Sequence, residues 1–129
     1  MIVRSLHDIV GTPRDVSWGN GQSRRFLLER DGMGYSLTDT VVDAGSESLL
    51  EYKNHMEACY CIDGEGEVED MDGNVYPLTP GTVYALDKHD RHYLRAKTTM
   101  RLICVFTPAL RGHEAHRLDE KVSGESSAY

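Results

Sequence analysis

Glu57 and His92 are the residues of this sequence whose types and spacing most readily suggest chemistry. Glu57 is followed by six residues and then Gly64; Gly81 is followed by five residues, Asp87, one residue, His89, two residues and His92. A carboxylate oxygen and an imidazole nitrogen brought together from separate strands suit a first-row metal, and open positions on such an ion can polarise a carbonyl. Each residue also has a plainer reading. Glu57 alone could be a solvated carboxylate at a strand start, and Tyr84 a core aromatic whose hydroxyl finds a partner. Cys59, Cys61 and Cys104 read as small buried fillers, since nothing beside them in the chain points to a lowered thiol pKa. His89 falls at a turn and reads as a surface residue or as support for a ligand. Gly64-Glu65-Gly66 is a hairpin turn and not a phosphate loop, because no helix follows it.

These side chains need strands to hold them. Apolar and polar residues alternate in short runs rich in β-branched and aromatic types, which predicts an all-β barrel or sandwich. The expected strands are 24–29, 35–42, 48–53, 58–63, 65–71, 74–78, 82–86, 92–96 and 100–106, with glycine turns at Asp31-Gly32, Asp63-Gly64, Asp72-Gly73 and Pro80-Gly81. Residues two apart share a face, so Glu57, Cys59 and Cys61 align, as do Leu102, Cys104 and Phe106, and Thr38 and Thr40. Helix is expected only as a short piece within Val3 to Ile9. From Leu110 onward the composition turns polar, and 119–129 is expected to be a flexible tail to a single domain spanning 1–118.

Composition narrows the function classes. The 129 residues carry 21 acidic and 14 basic side chains, a formal charge of −7 with no basic stripe, which argues against a nucleic-acid partner. With 40% hydrophobic and 27% charged residues, the chain should fold. No apolar run is long enough to cross a bilayer and no signal pattern opens the chain, so no membrane partner and a cytoplasmic location are expected. The odd number of cysteines, without a Cys-x-x-Cys pair, reads as reduced thiols.

The Glu57-to-Gly64 and Gly81-to-His92 spacings resemble the two cupin motifs, without the usual His-x-His pair near Leu50 to Lys53. That resemblance implies a cupin double-stranded β-barrel, jelly-roll-like, with at most short helices. The segments Tyr52 to Glu69, Leu86 to Ala96 and Cys104 to Pro108, with Met1 to Arg4 and Gly112 to His116, narrow it to the ectoine synthase family of cupin enzymes. The likeness covers nearly the whole chain. It implies an iron, Fe(2+), on Glu57, Tyr84 and His92, and cyclisation of N-γ-acetyl-L-2,4-diaminobutyrate to ectoine, a compatible solute, with loss of water.

The same resemblance implies a substrate pocket of Ser23, Arg25, Thr38, Thr40, Cys104 and Phe106, with Tyr52, Glu114 and His116 as candidates for catalysis. Arg25 would grip the substrate carboxylate, Glu114 would accept from the amine, and Tyr52 and His116 would move protons. It also implies a homodimer, which fits Ala58, Tyr60 and Ile62, apolar yet outward by parity. Two positions depart from the family pattern: Gly21 stands where a Trp is usual, with Trp18 three positions earlier, and Thr38 where Asn is usual. A shifted loop would restore the ring. A related cupin enzyme acting on a different small metabolite, or a non-catalytic binding cupin, remain the alternative readings.

Overall fold

The computed structural model describes residues 1–116 and Tyr129. Its elements are helix α1 (Leu6–Ile9) and strands β1 (Asp15–Ser17), β2 (Gln22–Leu27), β3 (Ser36–Val42), β4 (Glu47–Leu50), β5 (Met56–Asp63), β6 (Gly66–Asp70), β7 (Val75–Leu78), β8 (Val83–Leu86), β9 (His92–Ala96) and β10 (Met100–Thr107). A six-stranded sheet runs β1-β2-β3-β10-β5-β8 and a four-stranded sheet runs β4-β9-β6-β7, every pair antiparallel.

Alternation along the strands produces the core. In β5 the buried residues are Glu57, Cys59 and Cys61; in β10 they are Met100, Leu102, Cys104 and Phe106; in β9 they are His92, Leu94 and Ala96. One apolar cluster joins Val42, Cys59 and Leu102 of the larger sheet to Leu50, Val68 and Leu94 of the smaller. The two inner faces therefore enclose a common interior, and the polar groups on them are shut in with it.

The elements depart from the sequence pattern where backbone pairing overrides composition. Asp15–Ser17 has too little apolar alternation to announce a strand, yet it pairs in register with β2, Asp15 opposite Arg24. The expected strand 24–29 ends at Leu27, and Glu29–Asp31 form a 3-10 turn closed by Gly32 at φ 76. Asp31 drives that turn: its carboxylate accepts from the Leu28 backbone at 2.9 Å and pairs with Arg4 at 2.9 Å and Arg14 at 3.0 Å. The strand expected to reach Lys53 stops at Leu50, which frees 51–55 to turn and bury Tyr52 and His55. Gly64 is required at the β5–β6 turn: its φ is +83, and a Cβ would lie 2.1 Å from the Thr99 carbonyl oxygen.

Most of the segment expected as a flexible tail, 119–128, lies outside the described residues. Tyr129 at its far end is buried, with 4% of its surface exposed, and packs in the barrel interior. A single aromatic in a Ser- and Gly-rich stretch finds apolar surface that the stretch itself does not supply.

Candidate active site

Strand register lines up the candidate residues in rows. Arg25 of β2 lies opposite Thr38 of β3, Thr38 opposite Cys104 of β10, Cys104 opposite Cys59 of β5, and Cys59 opposite Tyr84 of β8. One step to one side, Ser36, Phe106, Glu57 and Leu86 form the next row. One step to the other side lie Ser23, Thr40, Leu102 and Cys61. His92 faces this array from β9 in the opposite sheet.

Glu57 sits at the centre. It is buried without a cationic partner, so burial pushes its carboxyl up to about 7, against hydrogen bonds from Cys59 and Cys104 that act to lower it. The ligating atoms of Glu57, Cys59 and Cys104 lie within 4.8 Å of one another. Burial raises the Cys59 thiol pKa, so it stays protonated and donates to its neighbours. Tyr84 is likewise raised, mainly by burial, and is hydrogen-bonded with Cys59.

The His92 ring lies 6.0 Å from the Tyr84 ring and 6.3 Å from that of Tyr52, centroid to centroid. Its Nδ1 is 2.9 Å from the Asp90 carbonyl oxygen, which can only accept, so Nδ1 carries the proton. Nε2 is left with a lone pair, buried and without a hydrogen-bond partner among the described residues. Burial also lowers the His92 pKa and keeps the ring neutral. A buried carboxylate lacking a cation, and a buried imidazole with an unused lone pair next to Tyr84, are donor types that suit a metal.

A second group of side chains meets across the cavity. The Tyr52 hydroxyl and His116 Nε2 are 3.2 Å apart and share a proton. Burial drives His116 down to about 3, so its imidazole is neutral near pH 7, and pushes the Tyr52 phenol well up. Tyr129 stacks on His116 at 4.5 Å and meets Tyr52 edge-on at 4.8 Å. Its hydroxyl accepts from Arg25 at 2.9 Å. Arg25 is fully buried; it also donates to the Glu114 carbonyl and, through Nε, to Ser23 at 3.1 Å.

Glu57, Tyr84, Tyr52, Thr40, Ser23, Cys104, Phe106 and His116 all line this interior cavity, together with Trp18 and Tyr129. His92 instead borders an adjoining recess that it shares with Tyr84. Arg25 reaches the cavity through the Tyr129 hydroxyl, and Thr38 is enclosed, its hydroxyl 3.0 Å from that of Thr40. Glu114 is placed differently from the rest. Its carboxylate accepts from the Arg111 and Gly112 backbone at 2.8 Å, lies 3.7 Å from Arg25, and borders an outer recess. A carboxylate so engaged supports Arg25 and the chain around it.

Trp18 and Tyr129 are the aromatic residues lining the cavity that the sequence pattern did not put among the site candidates. Trp18 carried a signal, as the chain's single tryptophan just ahead of Gly21. Its Nε1 donates to the Val41 carbonyl at 2.9 Å, and a Cβ at Gly21 would lie 1.9 Å from that same oxygen. The small residue at 21 is what lets the indole seat. Tyr129 carried no signal of periodicity or motif.

Two antiparallel sheets closed on an interior lined by a carboxylate, a phenol and an imidazole pair define a cupin of the enzymatic kind. An RmlC-like cupin from Shewanella frigidimarina shares the fold, with a TM-score of 0.62 at 23% identity over 74% of this chain and 82% of that one. The crystal structure of ectoine synthase from P. lautus superposes with a TM-score of 0.84 at 56% identity, covering 87% of this chain and 81% of that one. An L-ectoine synthase of Oceanobacillus iheyensis is 57% identical over 120 residues, 92% of this chain and 94% of the relative. The ectoine synthase family model matches residues 1–124. The chain belongs to the ectoine synthase family, whose enzymes are hydro-lyases.

Proposed function

We propose that this chain closes N-γ-acetyl-L-2,4-diaminobutyrate into the cyclic amidine ectoine, with an Fe(2+) held by Glu57, Tyr84 and His92. The observation that carries this reading is the unused lone pair of His92 Nε2, buried beside Tyr84, a residue that also lines the cavity holding Glu57 and the Tyr52–His116 pair. Two oxygens and one nitrogen suit a fairly hard transition metal, whereas Cys59 and Cys104 serve as hydrogen-bond donors to Glu57. When bound, the metal supplies a Lewis acid for the amide carbonyl, a poor electrophile.

The remaining work falls to side chains. A bond forms between the α-amine nitrogen and the acetyl carbonyl carbon, and the carbonyl oxygen leaves as water. The amine surrenders two protons and the departing oxygen takes them up. Tyr52 and neutral His116, sharing a proton across 3.2 Å, form a pair able to accept and return it. Arg25, held by Ser23 and Glu114, supplies the fixed positive charge for the substrate carboxylate. Thr40, Cys104 and Phe106 wall the cavity and Thr38 braces Thr40, so the curled substrate is held with amine and carbonyl together. The space left open is only about 30 Å³, room for a water or two, because the Tyr129 ring stands beside Arg25 and His116. Substrate binding therefore displaces Tyr129.

Among the described residues no helix is long and apolar enough to cross a membrane. We place the enzyme in the cytoplasm as a homodimer paired through the outer face of the larger sheet, where Tyr60, Ile62, Val83 and Val105 are exposed. The deciding experiment is turnover of the acetylated diaminobutyrate by iron-loaded protein, with the product identified by mass and NMR. Ectoine is the expected product; no turnover overturns the reading.

A further inference from the structure

His89 is the non-glycine residue with a positive φ among the described residues, at 54°. Non-glycine side chains hold this left-handed conformation uncommonly, histidine more often than most, and a local hydrogen bond of the side chain favours it. The ring Nδ1 of His89 lies 2.8 Å from the Tyr52 carbonyl oxygen and 3.0 Å from that of His55. Both oxygens accept only, so Nδ1 carries a proton and donates to both at once. The left-handed backbone aims the ring back at the 51–55 connection, which has no strand partner of its own.

What that connection carries makes the contact consequential. Tyr52 extends from it into the cavity to meet His116, and its ring also lies 6.3 Å from His92. His55, at the other end, is buried and donates its own Nδ1 proton to the Pro108 carbonyl oxygen at 2.7 Å. Asn54 donates its backbone N–H to the Tyr129 carbonyl at 2.8 Å. The pin from His89 comes from the β8–β9 connection, three residues before His92. It ties the Tyr52 backbone directly to the approach to that strand.

We propose that His89 is a positioning residue that fixes the Tyr52 phenol against His116 by clamping the 51–55 connection. Its action runs through backbone oxygens, so it sets where Tyr52 sits without touching substrate. The inference rests on the proton-transfer role given to Tyr52 above. Asparagine at 89 would tolerate the left-handed backbone and present an amide N–H close to where Nδ1 stands; glycine would relieve the backbone but leave both carbonyls without the pin.

The test uses the iron-loaded, full-length enzyme and its His89→Gly, His89→Ala and His89→Asn variants, with Tyr52→Phe and the Tyr52→Phe/His89→Gly double variant. His89→Gly and His89→Ala should lower kcat about tenfold at parental iron content, with KM changed less than about twofold. His89→Asn should stay within about threefold of the parent, and the double variant should be no slower than Tyr52→Phe alone. Amide hydrogen exchange over 51–56 should rise in His89→Gly and return to parental rates in His89→Asn. Parental kcat and exchange in His89→Gly overturn the proposal, as does an equal loss in His89→Asn or a fully additive loss in the double variant. If the parent itself fails to make ectoine, the proposed reaction falls, and the exchange rates alone decide whether His89 clamps the connection.

Discussion

Glu57 can be read through two donor sets: Cys59 and Cys104, whose ligating atoms lie within 4.8 Å of its own, or Tyr84 together with its neighbour His92. The thiols are already used as donors to its carboxylate, whereas His92 Nε2 is used by nothing among the described residues. That difference makes a prediction. Glu57→Gln and His92→Ala should each abolish stoichiometric iron, measured by metal analysis after dialysis, while Cys59→Ser and Cys104→Ser should each retain it. Loss of iron in the thiol variants alone would move the site to the sulfur side. Tyr129 offers a second test at this scale. Its phenol accepts from Arg25 Nη2 and stands between the guanidinium and the cavity that the substrate carboxylate would enter. Tyr129→Ala should therefore lower KM severalfold, on the order of 1 kcal/mol in binding, with kcat little changed. A raised KM in steady-state assays would show instead that the ring helps to bind substrate.

Asp31 shows how an element is held by one carboxylate. It joins Arg4 ahead of α1, Arg14 ahead of β1 and the Leu28 backbone at the end of β2. Hydrogen bonds from Arg4, then those from Arg14 and Leu28, outweigh burial and hold its pKa well below the usual carboxylate range. A depressed folded-state pKa contributes stability that is present above the unfolded value and lost as pH falls from about 4 toward the folded value. Asp31→Asn should cost about 2 kcal/mol at pH 7 and flatten the stability profile below about pH 4, read by urea denaturation across pH. The β5–β6 turn makes a comparable demand through sterics. Gly64→Ala would press a Cβ on the Thr99 backbone and should destabilise the chain by about 2 kcal/mol or more, read in the same denaturation assay.

For the whole molecule, the larger sheet has two different faces. Its inner face carries the site, while its outer face runs from Met56, Ala58 and Tyr60 to Val83 and Ala85 on one side and Ile103 and Val105 on the other. Several of these large side chains are exposed: Val83 at 59%, Tyr60 at 47% and Met56 at 42%. A contiguous apolar sheet face of this kind is covered in most stable proteins. Tyr60→Glu combined with Val83→Glu should convert the proposed homodimer to a monomer in sedimentation equilibrium. A monomeric parent would remove the dimer from the reading.

Much of this arrangement was legible in the residues alone. The two-residue alternation of β5 and β10 puts Glu57 and Cys59 on one face and Cys104 and Phe106 on another, and the glycine at 64 marks where β5 must turn. These are local properties, fixed by backbone periodicity and sterics within a few residues. The same chain segments carry the family likeness, so the reaction class was also readable from them. What required the tertiary structure was every relation between distant segments. The five-strand row from Arg25 to Tyr84 exists because registers between strands far apart in sequence happen to agree. Glu114 braces Arg25, and Tyr129 fills the cavity, because partners were supplied by the closed barrel. From sequence His89 reads only as a turn residue at the surface or in support of a ligand, because its two acceptors lie more than thirty positions away. Hydrogen-bond partners across such separations depend on how the sheets close, and no local pattern encodes that.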